Sequence, residues 1–147
     1  MAAQDAVIFP TDFSEMSLAA LPWAKKMATF LGGRIHCVYV VEEPQIYATL
    51  DMGPVPIPSA SELASTAQTR LDGFAQKHLQ GLDQPAVAKV LVGRPADEIV
   101  TYARDNGAGV IIMTTHGYSG VKHVLLGSTT EAVLRHANCP VLSIRND

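Results

Sequence analysis

Short apolar runs recur along this chain, and each is followed by a stretch with helical spacing. The runs occupy residues 7–9 (VIF), 34–41 (RIHCVYVV), 87–92 (VAKVLV), 110–113 (VIIM) and 140–144 (PVLSI). Runs that do not alternate with polar residues suit strands buried on both faces, which occur in parallel sheets covered by helices. Between them the spacing predicts helices over residues 15–31, from Ser59 or Ser61 to about 79, over 96–105 and over 128–137. The resulting order, βαβαβαβαβ, argues an α/β fold: a parallel sheet with helices on both faces and right-handed crossovers.

Local signals support these segments. Ser14 and Glu15 suit a helix start, although Ser14 with Ser17 makes no capping box. Leu18, Leu21, Met27, Phe30 and Leu31 recur at three to four residues, and Gly32-Gly33 closes the segment. Pro22 interrupts it and marks either a kink or a shifted start. Pro95 stands well in the first turn of the third helix.

The length of 147 residues matches one domain spanning the chain. Net charge is −3, so the molecule as a whole has no electrostatic reason to seek nucleic acid or an anionic membrane. The two cysteines make no disulfide framework. The start, MAAQDAVIFPTDFS, has no basic segment and no long apolar stretch. The expectation is a cytoplasmic protein with free thiols.

In open α/β sheets, ligands bind outside the carboxyl ends of the strands where strand order reverses. Two loops therefore matter most: Pro10-Thr11-Asp12-Phe13-Ser14 after strand one, and residues 114–130 after strand four. The second has the parts of an anion cradle. Gly117 permits close backbone approach, and Gly127 precedes a helix start at Ser128-Thr129-Thr130, where free N–H groups and the helix dipole favour phosphate. Lys122, Arg135 and Arg145 face Glu131 as the one acid of this region, with His116, His123 and His136 beside them. Read locally, Gly127-Ser128 serves equally as a plain helix cap. Asp12 has two readings as well: a helix cap, or an acceptor for an exocyclic amine such as that of adenine.

These residues carry a resemblance. Val7 to Glu15 (VIFPTDFSE), Val40, the Gly93-Arg94-Pro95 turn, Gly117 followed by nine residues and then Gly127-Ser128, and the closing Asn138-Cys139-Pro140-Val141-Leu142 resemble the universal stress protein family along the whole chain. The resemblance implies a flavodoxin-like, doubly wound five-stranded sheet of order 3-2-1-4-5. It implies ATP or AMP in the crevice between strands one and four. Adenine is expected near Pro10, Thr11, Asp12 and Val40. Ribose and phosphates are expected near Met113, His116, Gly117, Gly127, Ser128, Thr129 and Thr130, with Mg or Mn an optional companion. Thr114 stands where the family signature has its first glycine; its side chain would either crowd the ribose or α-phosphate or offer them a hydroxyl.

The favoured function is an adenine-nucleotide-binding regulatory module of the stress response, paired as a homodimer with an unidentified regulated protein. The dimer follows from the apolar last strand, Pro140 to Ile144, whose open edge a second copy would cover. The alternatives are a slow ATPase and a nucleotide-free dimeric interaction module. Efficient catalysis is disfavoured, since the chain has no Walker A pattern and no paired carboxylates near the glycine loop. A phosphoacceptor domain fails because strand three runs into Val92-Gly93-Arg94, without a terminal Asp. A flavin carrier would have to press Tyr47 and Tyr118 into service.

Other residues read as structural. His36 suits a satisfied core or edge histidine, Cys37 and Cys139 inert thiols, Trp23 a helix-packing residue, and Met16, Met27, Met52 and Met113 mostly core fillers. The proline-rich loop over residues 42–59 carries Ile46, Tyr47, Leu50, Met52, Val55 and Ile57. It reads as a lid or a dimer contact.

Overall fold

The computed structural model describes residues 3–42, 59–115 and 126–145. Five strands form one parallel sheet: β1 (Ala6–Pro10), β2 (Ile35–Val41), β3 (Val87–Val92), β4 (Ala108–Thr114) and β5 (Val141–Ile144). Their order is β3-β2-β1-β4-β5. The helices are α1 (Leu21–Leu31), α2 (Ala60–His78), α3 (Pro95–Asp105) and α4 (Ser128–His136).

Alternation within each strand sorts side chains onto two faces. Val7, Phe9, Val110 and Ile112 join Leu21, Ala24, Ala28 and Leu71 on the face covered by α1 and α2. Ile8, Ile111 and Met113 join Ile99, Ala103 and Val133 on the face covered by α3 and α4. Each central strand is thus buried on both sides, which is why its sequence shows apolar runs instead of polar alternation. Among the described residues no helix is long and apolar enough to cross a membrane.

Pro22 resolves as a shifted start. Residues Met16–Ala20 form a 3₁₀ turn, and α1 begins after it with Pro22 in its first turn. There the missing N–H of proline removes no intrahelical bond. Gly32 ends α1 in the left-handed region at φ 69°. Gly33 has a different reason: a Cβ there would run into the Asp5 carbonyl. Of the two serines that suit the start of α2, Ser59 is the cap, and its hydroxyl accepts from the Glu62 amide at 3.2 Å.

The helical pattern of α1 misplaces one residue. Phe30, counted with the core-facing positions, is 81% exposed. Trp23 is 45% exposed, with the Lys26 ammonium 4.7 Å above its ring, and it stands outside the two core clusters. Phe30 lies nine residues beyond Leu21, about half a turn around α1 from the buried stripe of Leu21, Ala24 and Ala28. His36 is satisfied as expected: its Nδ1 lies 2.7 Å from the Tyr102 hydroxyl. The loop over residues 42–59 lies, but for its two ends, outside the described residues.

Candidate functional site

β1 is flanked by β2 on one side and by β4 on the other. The chain moves outward from β1 through β2 to β3, then returns across the sheet to β4 and β5. The loops leaving the carboxyl ends of β1 and β4 therefore part in opposite directions, and a crevice must open between them. A cavity of about 350 Å³ occupies that position, within the range of roughly 300–1,000 Å³ usual for small-molecule sites.

Its wall on the β1 side is Pro10, Thr11 and Asp12; β2 adds Val40. The opposite wall is Met113 and Thr114 at the end of β4, with Gly127, Ser128, Thr129 and Thr130 at the start of α4. All of the expected site residues that are described line this one cavity. His116 and Gly117 lie outside the described residues, as do Lys122 and His123. His136 is on the exposed surface of α4.

Sequence reasoning missed Ser17, Val38, Tyr39, Pro95 and Ile99, which also line the cavity. Pro95 was within reach, because it follows the carboxyl end of β3 at the same rim of the sheet. Val38 and Tyr39 looked like interior strand positions. Ser17 gave no signal, since only the 3₁₀ turn folds it back over β1.

The loop after β1 is tightly built. The Ser14 amide donates to Asp12 Oδ1 at 3.0 Å, and the Ser14 hydroxyl donates to the same oxygen. No described donor is seen on Asp12 Oδ2. Asp12 thus closes a turn through one oxygen, and the residue lines the cavity. Phe13 adopts φ 66°, in the left-handed region that costs an L-residue about 1–2 kcal/mol. Its ring is held by Tyr39, with centroids 4.6 Å apart, and by the Arg70 guanidinium 4.3 Å above it. These contacts offset the backbone strain.

The other wall is built for close approach. α4 starts at Gly127, and no described side chain caps it. The first-turn amides of Ser128, Thr129 and Thr130 have no intrahelical acceptor and lie at the positive end of the helix dipole. Gly127 is anchored by its amide on the Thr115 carbonyl at 2.7 Å. Its φ of −67° and ψ of 157° are open to any residue, so conformation does not demand glycine here. What a side chain would change is the space at the cavity wall.

The titrating groups with resolved shifts lie elsewhere. Burial pushes the His36 pKa below its ordinary value; Arg34 acts in the same direction and Asp5 opposes it. Burial pushes the Cys37 thiol up to about 12, and it raises Cys139 as well. Neither cysteine lines the cavity. Among the described residues, no three of His, Cys, Asp and Glu converge as a metal site would require.

An open parallel α/β sheet of this strand order, with a crevice at its strand-order reversal, defines a doubly wound, flavodoxin-like class of fold. The sequence pattern of the Universal stress protein family matches residues 5–145, and the chain belongs to that family. The universal stress protein MJ0577 of Methanocaldococcus jannaschii is 30% identical over 95% of this chain and 93% of its own. Its solved structure superposes with a TM-score of 0.79, covering 99% of each chain. The universal stress protein UspA of Lactobacillus plantarum gives a TM-score of 0.77 at 27% identity, covering 99% of this chain and 100% of that one. A universal stress protein solved in complex with cAMP gives 0.69 at 20% identity, covering 98% of each.

Proposed function

We propose that this chain binds an adenine nucleotide, ATP or AMP, in the crevice between β1 and β4, and acts as a regulatory module of the stress response. The observation that carries the reading is the convergence of two chemically different walls on one cavity. A carboxylate edge at Asp12 suits an exocyclic amine. A helix start opposite it that no described side chain caps, with the Ser128 and Thr129 hydroxyls beside it, suits phosphate. Adenine would lie toward Asp12 and Val40, the ribose beside Met113 and Thr114, and the phosphates at Gly127 to Thr130. One relative of the same fold is a complex with cAMP; that likeness is one of fold, and the case for the ligand rests on the cavity.

Asp12 is the one carboxylate among the described lining residues. In this placement it stands at the base end, away from the phosphates. Hydrolysis needs a group that orients water near the terminal phosphate. The regulatory reading is therefore preferred to a slow ATPase. Any Mg or Mn would arrive with the phosphates, since the described residues offer no preformed cluster for it.

The module would work as a homodimer, and as such in the cytoplasm. β5 is an edge strand, only half-buried, and pairs with β4 alone among the described strands. A second copy placed against Val141–Ile144 across a two-fold axis would cover that edge. Size-exclusion chromatography with light scattering should give the mass of two chains at micromolar concentration; a monomer would count against it.

The ligand is tested by denaturing the purified protein, identifying released small molecules by mass spectrometry, and titrating ATP and AMP by calorimetry. Released or titratable adenine nucleotide supports the reading. Absence of both, with no heat at millimolar ATP, sinks it in favour of an interaction module that works without nucleotide. Asp12→Ala should then reduce the preference for ATP over GTP.

A further inference from the structure

We propose that Ser17 is a positioning residue for nucleotide selectivity: its hydroxyl completes a hydrogen-bond relay that fixes the turn carrying Asp12. The inference rests on the reading of the crevice as an adenine-nucleotide site.

The direction of the relay follows from counting protons. The Ser17 hydroxyl donates to the Ser14 carbonyl oxygen at 2.7 Å. A serine hydroxyl has a single proton. In the 2.9 Å contact between the hydroxyls of Thr11 and Ser17, Thr11 must therefore be the donor. Thr11 Oγ1 in turn accepts from the Phe13 amide at 3.0 Å. The chain runs from the Phe13 N–H through the Thr11 and Ser17 hydroxyls to the Ser14 carbonyl. Each hydroxyl in it both gives and receives, and such chains polarise along their length.

This relay brackets Asp12. Its first donor, Phe13, and its last acceptor, Ser14, are the two residues that follow Asp12. The Ser17 amide adds a second tie, donating to the Ser14 hydroxyl at 3.2 Å, and that hydroxyl donates onward to Asp12 Oδ1. Ser17 thus holds the turn by side chain and backbone together. The turn needs holding, because Phe13 sits in left-handed backbone. Both residues of the relay are almost fully buried, with Thr11 at 6% and Ser17 at 4% exposure. Alanine at position 17 would fill much the same space but leave the Thr11 proton without its acceptor.

The test measures ATP and GTP affinity by calorimetry for the parent, Ser17→Ala, Asp12→Asn and the double variant. Ser17→Ala should lower the adenine-over-guanine preference about tenfold, the scale of one buried hydrogen bond. In the Asp12→Asn background the same change should leave that preference unmoved, because Ser17 acts through Asp12. Thr11→Val breaks the relay at its other hydroxyl and should give the same loss. It carries the test if Ser17→Ala does not fold. A preference unchanged by either variant, or lowered equally in both backgrounds, overturns the positioning role while the nucleotide reading stands. A parent that binds neither nucleotide overturns that reading and this role with it. Amide exchange at Phe13, followed without nucleotide, checks the relay itself: Ser17→Ala should speed it about tenfold, and an unchanged rate overturns the relay.

Discussion

The Thr130 hydroxyl donates to the Thr114 carbonyl oxygen at 2.9 Å, and both residues are buried. This bond ties the first turn of α4 to the last residue of β4, sixteen positions back in the chain. Thr130 serves the crevice as a strut as well as part of its wall.

Thr130→Val keeps the shape of the side chain and removes its donor. The folded state should lose about 1–2 kcal/mol. ATP affinity should fall too, as the helix start loosens. Urea unfolding followed by circular dichroism should show an earlier midpoint with an unchanged slope. An unchanged midpoint would mean that the bond contributes nothing net.

Gly127→Val separates binding from folding. The backbone at Gly127 is extended, a conformation that valine adopts readily. Its branched side chain stands at the cavity wall, where phosphate would approach. Valine is a poorer N-cap than glycine, so stability should fall by about 1 kcal/mol, while ATP binding falls below detection. Parent-like affinity in a folded variant would displace the phosphate end from this helix.

His36 gives the fold a pH dependence. Its pKa in the folded protein lies below the ordinary 6.5, chiefly through burial. Between those two values the unfolded chain binds more protons than the folded one, so stability rises with pH. The contribution is complete above 6.5 and is lost as pH falls below it. Unfolding midpoints measured from pH 7.5 to 5 should therefore drop more steeply for the parent than for His36→Gln. Parallel profiles would show that His36 titrates alike in both states.

Cys37 and Cys139 should differ in reactivity. Cys37 is fully buried, with its thiol pushed up to about 12, whereas Cys139 is partly accessible. An aromatic disulfide reagent at pH 8 should titrate one thiol in the native protein and the second only on unfolding. Mass spectrometry of the labelled protein should find the first label on Cys139. Rapid loss of both thiols in the native state would contradict the burial of β2.

Much of this molecule is legible in the sequence alone. The order of strands and helices shows because each element leaves a local mark. Apolar runs flag strands buried on both faces, Gly32-Gly33 and Pro95 mark helix ends, and Gly127 with three hydroxyl residues marks a helix start. The sheet order came by resemblance to a family, not from periodicity, because periodicity says nothing of which strands are neighbours. Tertiary structure decided the rest. Parallel pairing between β1 and β4 brings residues 10–12 beside residues 127–130, a contact between segments more than a hundred positions apart. The 3₁₀ turn folds Ser17 beneath Thr11, and Phe13 takes left-handed backbone against Tyr39 and Arg70. None of these has a local signature. Each depends on where a neighbouring element lies, and that is set by packing two helical layers on one twisted sheet.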